Sequence, residues 1–85
     1  MTLVVDDDEL MRELLTYQLT TLGVGQVVAC ERAADAVELL EGPSASVRLI
    51  LCDLQMPEMD GIEFVRSLVR IGYEGGLILV SGEDV

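Results

Sequence analysis

The sequence predicts an α/β protein, with an open parallel sheet carrying helices on both faces. Three observations predict it. Four short runs rich in Val, Ile and Leu are nearly continuous, as strands covered on both faces are. Segments of helical period separate them, and each of these closes on a glycine. The resulting order, β-α-β-α-β-α-β, implies right-handed crossovers and a parallel sheet.

Taken in order, the first strand is Leu3-Val4-Val5. A helix follows from Leu10, with Leu14, Leu15, Leu19 and Leu22 on one stripe and Gly23 as its stop. The second strand is Val27 to Cys30. The next helix places Ala33, Ala36, Val37 and Leu40 on one stripe and ends at Gly42-Pro43. The third strand is Leu49 to Cys52. A third helix carries Ile62, Val65, Leu68 and Val69 and stops at Gly72; the fourth strand is Leu77 to Val80. Nothing reads as a repeat, a low-complexity tract or a linker, so residues 1–85 are taken as one domain.

Composition narrows the function. The chain is 51% hydrophobic and 25% charged, with 16 acidic residues against 5 basic ones and a net charge of −11. Such a balance disfavours nucleic-acid binding and suits a cation site or a basic partner. The five basic residues are all Arg and His is absent, which removes Ser-His-Asp chemistry and His-based metal sites. Cys30 and Cys52 each lie in an apolar run, and buried, reduced thiols are expected. The opening "MTLVVDDDEL" lacks a basic export signal, and no apolar run approaches the roughly 20 residues that span a bilayer. The cytoplasm is the expected compartment.

A parallel sheet puts every strand's carboxyl end on one edge, where ligands of open α/β folds bind. Asp6-Asp7 leave the first strand, Asp53 the third and Ser81 the fourth. Each has an ordinary reading alone. "DDDE" caps a helix and complements its dipole, an Asp at a strand end forms a turn, and Ser81-Gly82 is a common turn pair. Asp60-Gly61 starts the third helix with Asp60 as N-cap, and Met56 and Met59 pack the loop. What sets these separate readings aside is that the acids and Ser81 fall on the same predicted edge. Crowded carboxylates raise one another's pKa, and the usual remedy is a hard cation such as Mg²⁺. A carboxylate beside such an ion can act as a nucleophile toward a phosphoryl group.

Three segments in this order, "LVVDDDELMRELL", "LILCDLQMPEMDGIEFVR" and "LILVSGED", resemble the receiver domain of two-component response regulators, chemotaxis-regulator-like. The middle one keeps the pattern Asp-x-x-Met-Pro-x-Met-Asp-Gly. The resemblance covers the whole chain and implies a flavodoxin-like order of βα units. It implies that Asp53 accepts a phosphoryl group from a histidine kinase or phosphotransfer protein, without enzymatic turnover. It further implies Mg²⁺ held by Asp7 directly, by Asp6 through water, by Asp53 and by the backbone carbonyl of Gln55. Ser81 would bond a phosphoryl oxygen and couple it to movement of the following loop, signalling to a fused or separate output domain. Asp8 would be a helix cap and no ligand. No role with nucleic acid or membrane is implied.

The chain also departs from the family pattern. The Lys that ends the family's fifth strand has no counterpart, nor do the fourth helix, the fifth strand with its switch aromatic, and the fifth helix. Gly82 follows Ser81 where Ala is usual, as in some receivers that precede cyclic-di-GMP phosphodiesterase domains. Two other readings compete. One is a degenerate receiver that serves as a binding or dimerisation module. The other is a haloacid-dehalogenase-type phosphatase with Asp6 as nucleophile, since Asp6-x-Asp8 mimics its Asp-x-Asp signature; that reading leaves Met-Pro-x-Met-Asp-Gly unexplained.

In this fold the first and fifth helices share one face of the sheet. Apolar surface beside the first helix is therefore expected to be bare, with strand four as an unprotected edge. An 85-residue chain with this defect should be marginal alone. It is expected to be a fragment, the ordered part of a longer polypeptide, or a chain covered by a second one, a homodimer included. Sedimentation combined with denaturation should find self-association or weakly cooperative unfolding; a stable, cooperatively unfolding monomer would contradict this expectation.

Overall fold

A computed structural model of the chain describes residues 1–42, 46–53 and 61–80. Among them are four strands, β1 (Thr2–Val5), β2 (Val27–Cys30), β3 (Leu49–Asp53) and β4 (Gly76–Val80). Three helices alternate with these, α1 (Glu9–Thr21), α2 (Ala33–Glu41) and α3 (Gly61–Arg70). The strands form one parallel sheet in the order β2-β1-β3-β4. β1 is central, with Val5 level with Cys30 on one side and Cys52 on the other. Successive strands step outward from β1 to β2, then return to β1's other flank as β3. That reversal puts the topological switch point between β1 and β3, where open α/β sheets form their binding crevice.

Alternation along the strands sorts the core. Leu3, Val5, Ile50 and Cys52 point to one face, where they meet Ala33 and Ala36 of α2 and Phe64 and Leu68 of α3. Phe64, wholly buried, is the largest side chain in that cluster. Val4 points the other way and is equally buried. The helix that meets β1 and β2 on that side is α1. The two cysteines are free and buried, as expected.

Local chemistry accounts for the helix ends. Asp8 is the N-cap of α1, its carboxylate accepting from the N–H groups of Leu10 (2.9 Å) and Met11 (3.4 Å). At the other end Gly23 takes φ +78°, Val24 N–H donates to Leu19 O and Gly23 N–H to Thr20 O. The end of α3 repeats the arrangement: Gly72 has φ +77°, Tyr73 N–H donates to Leu68 O and Gly72 N–H to Val69 O. Both are Schellman closures, whose left-handed residue carries no penalty as glycine.

Two helical stripes are phased differently from the sequence-based expectation. In α3 the buried row is Gly61, Phe64 and Leu68, whereas Ile62 and Val69 are 66% and 74% exposed. The helix has apolar residues on several sides, and the aromatic ring, with the most area to bury, sets the rotation. In α1 the half-buried row is Arg12, Leu15, Thr16 and Leu19, leaving Leu14 and Leu22 outward beside Leu10 and Tyr17. On β4, Ile78, Leu79 and Val80 are exposed, and β4 pairs with β3 alone among the described residues. Exposed apolar side chains therefore lie on both α1 and β4. Among the described residues no helix is long and apolar enough to cross a membrane.

The rotation of α3 can be checked by substitution. Phe64→Ala should cost about 3–5 kcal/mol, whereas Val69→Ala should stay within about 0.5 kcal/mol of the parent. Urea denaturation followed by far-ultraviolet circular dichroism measures both. A larger loss at Val69 than at Phe64 would reverse the assigned phase.

Candidate functional site

The site lies where β1 and β3 end side by side. β3 delivers Asp53 as its last residue, while Asp6 and Asp7 follow directly from β1. Because the strands are adjacent and in register, the acids meet without any long excursion of chain. Carboxylate oxygens of Asp6, Asp7 and Asp53 all lie within 4.8 Å of one another. Asp6 is buried, Asp53 half-buried and Asp7 exposed, so the cluster opens toward solvent on one side.

Asp6 is fixed at three points. Its N–H donates to Cys30 O at 3.1 Å, continuing the direction of the β1–β2 ladder. Its carboxylate accepts from Asp8 N–H at 2.9 Å, a bond that draws the chain into the first turn of α1. Its carbonyl accepts from Arg12 Nη1 at 2.8 Å. Asp8, by contrast, points its own carboxylate at the first N–H groups of α1, as the cap reading expects. Arg12 is not among the residues that the sequence motifs single out. Its signal was a lone cation in phase with Leu15 and Leu19 on the sheet-facing row of an acidic helix.

Burial holds the Asp6 carboxyl above its ordinary value; the hydrogen bond from Asp8 N–H pulls it down, and the charges of Asp53, Asp7 and Asp8 push it further up. The neighbouring Cys52 thiol is pushed up to about 12, by burial first and then by Asp53 and Asp6. It stays protonated at neutral pH and donates to Asp53 O at 3.4 Å, so it is neither nucleophile nor metal ligand here. The donor set is all oxygen, and it suits a hard divalent cation such as Mg²⁺. Gln55, Asp60 and Ser81 lie outside the described residues, as do Met56 and Met59.

Comparison with known proteins agrees in kind. The family model described as the response regulator receiver domain matches residues 2–85. A chemotaxis protein CheY homolog of Campylobacter jejuni is 38% identical over 66 residues, covering 78% of this chain and 50% of that protein. The regulator of RpoS of Escherichia coli strain K12 is 30% identical over 82 residues, 96% of this chain and 23% of that protein. The chain thus spans half or less of the length of these relatives. Among solved structures, the receiver domain of the histidine kinase CKI1 from Arabidopsis thaliana, complexed with Mg²⁺ and BeF₃⁻, superposes with a TM-score of 0.80 at 31% identity. That match covers 99% of this chain and 66% of the other.

The raised Asp6 carboxyl has a definite consequence for stability. A carboxyl above its ordinary value of 3.8 binds its proton more tightly in the folded chain than in the unfolded one. Its contribution is complete at low pH and is lost as pH rises from the ordinary value through the raised folded one. Asp6→Asn keeps an oxygen for the Asp8 N–H but removes the charge. It should raise the thermal midpoint of the metal-free protein at neutral pH and flatten the fall across that window. Thermal denaturation of both proteins against pH measures this; a lowered neutral-pH midpoint in the variant would contradict it.

Proposed function

The chain belongs to the response regulator receiver domain family, and on that premise we propose that Asp53 is the phosphoacceptor of a Mg²⁺-dependent phosphotransfer. The observation that carries this reading is the convergence of Asp6, Asp7 and Asp53 at the switch point of the sheet. A carboxylate oxygen of Asp53 attacks the phosphorus of a phosphohistidine on a histidine kinase or phosphotransfer protein. The P–N bond breaks, and its electron pair returns to the imidazole nitrogen, which takes a proton from water. An acyl phosphate is left on Asp53. The module accepts one phosphoryl group and signals by the conformational change that follows, rather than turning over a substrate.

Mg²⁺ would supply charge neutralisation for the incoming phosphoryl oxygens and for the three carboxylates. Asp7, the exposed member, would ligate it directly, and buried Asp6 would act through water. Asp53 and the Gln55 backbone carbonyl would complete the protein's share. Ser81 would hydrogen-bond a phosphoryl oxygen. The parts given to Gln55 and Ser81 rest on the family resemblance alone. Against the phosphatase reading stand the burial of Asp6, 6% exposed, and the bond that one of its carboxylate oxygens accepts from Asp8 N–H.

We assign residues 1–85 to a single receiver unit that acts on a fused or separate output domain. Its two buried, reduced thiols suit the cytoplasm. The competing reading is a degenerate receiver that serves as a binding or dimerisation module. Beryllofluoride binding at millimolar Mg²⁺ separates the two readings: binding favours the phosphoacceptor, and its absence favours a binding or dimerisation module.

The direct test is labelling by a phosphorylated histidine kinase or by acetyl phosphate, with and without Mg²⁺. The wild-type chain should acquire an acyl phosphate only with the cation, and Asp53→Asn should acquire none. Labelling that survives in Asp53→Asn would move the acceptor elsewhere.

A further inference from the structure

The acids at the end of β1 differ in how they are held. Asp8 is committed to the cap of α1, and the Asp6 carboxylate is bound by Asp8 N–H. Asp7, the proposed direct ligand, is exposed, so its aim depends on the backbone that carries it. The Asp6 carbonyl and the Asp7 N–H share one rigid peptide plane. Whatever holds the Asp6 oxygen sets the tilt of that plane, and with it the direction in which the Asp7 side chain leaves the chain.

We propose that Arg12 is the positioning residue of the cation site, acting through the main chain by gripping the Asp6 carbonyl and so aiming Asp7. The proposal rests on the Mg²⁺ reading above. Arg12 Nη1 lies 2.8 Å from Asp6 O, within the range of a strong bond from a charged donor. The residue itself is anchored, because its N–H donates to Asp8 O at 3.0 Å in the first turn of α1. Its half-buried position, in phase with Leu15 and Leu19, turns it toward the sheet. The Asp6 N–H is held from the opposite side by Cys30 O. The backbone torsions of Asp6 are therefore pinned between β2 and α1, on either side of the residue that precedes the ligand.

The grip also links helix to site. A displacement of the first turn of α1 would carry Arg12 with it and rotate the Asp6–Asp7 peptide plane.

The test is calorimetric titration of Mg²⁺ alone into the wild-type chain, Arg12→Ala, Arg12→Lys and Asp7→Asn, with the thermal midpoint of each recorded. Arg12→Ala should weaken Mg²⁺ about tenfold or more, the range typical of groups that orient metal ligands. Arg12→Lys, which can still donate one hydrogen bond to the carbonyl, should recover most of that loss. A merely structural role would lower the thermal midpoint and leave affinity in the folded protein unchanged. Unchanged affinity in Arg12→Ala, with Asp7→Asn abolishing binding, would overturn the proposal while leaving the metal site intact. If the wild-type chain bound no Mg²⁺, the metal reading itself would fail, and the proposal with it.

Discussion

Three carboxylates are held with oxygens within 4.8 Å of one another at the rim of a sheet, on a chain already strongly acidic. Most of what surrounds the site can be understood as the means of holding them there. Repulsion among like charges at this distance favours spreading the strand ends apart. It is opposed by the in-register pairing of β1 with β3 and by hydrogen bonds that consume the free polar groups of Asp6. The buried wall behind the site includes Val5 and Cys52. The metal-free fold therefore carries an electrostatic cost that a divalent cation would relieve. Cation binding and conformational stability are two readings of one interaction.

The packing that opposes this cost is unevenly distributed. One face of the sheet has a closed core, with α2 and α3 laid over β1 and β3 and the Phe64 ring fully enclosed. On the other face α1 covers β1 and β2, while Ile78 and Val80 of β4 stay open. The outward row of α1, from Leu10 through Leu14 to Tyr17, is apolar as well. The acid cluster sits at the carboxyl edge shared by both faces. Asp53 is continuous with the strand that pairs with exposed β4, and Asp6 is tied by Arg12 to α1. Both connections lead from the site into the loosely covered half of the molecule, where local opening costs least.

Much of this was legible in the sequence, for physical reasons that can be named. Continuous Val, Ile and Leu runs marked the four strands, although only central β1 is buried on both faces throughout and β4 is largely exposed. Gly23 and Gly72 marked helix ends because only glycine takes the left-handed closing position without cost. The gathering of Asp6, Asp7 and Asp53 followed from topology, since parallel strands deliver their ends to one edge. Helix rotation was harder to read. Ile62, Val65, Leu68 and Val69 have acceptable helical spacing, yet Phe64 takes the core and turns Ile62 and Val69 outward. Several apolar sides permit several phases, and only contact with the sheet decides among them. Arg12 escaped notice for a related reason: its partner is a backbone carbonyl, which no side-chain pattern announces. The expected parts of Gln55, Asp60 and Ser81 fall on residues outside those the structure describes.

The claim that the acids form one strained cation site is tested most directly by measuring stability against pH with and without Mg²⁺ at matched ionic strength. Without the cation, stability should fall as pH rises through the raised Asp6 value. With Mg²⁺ at about one hundred times its dissociation constant, the neutral-pH fold should gain about 2.7 kcal/mol, and the decline should disappear. Identical curves in the two conditions would show that the carboxylates carry no shared site, and the proposed function would lose its foundation.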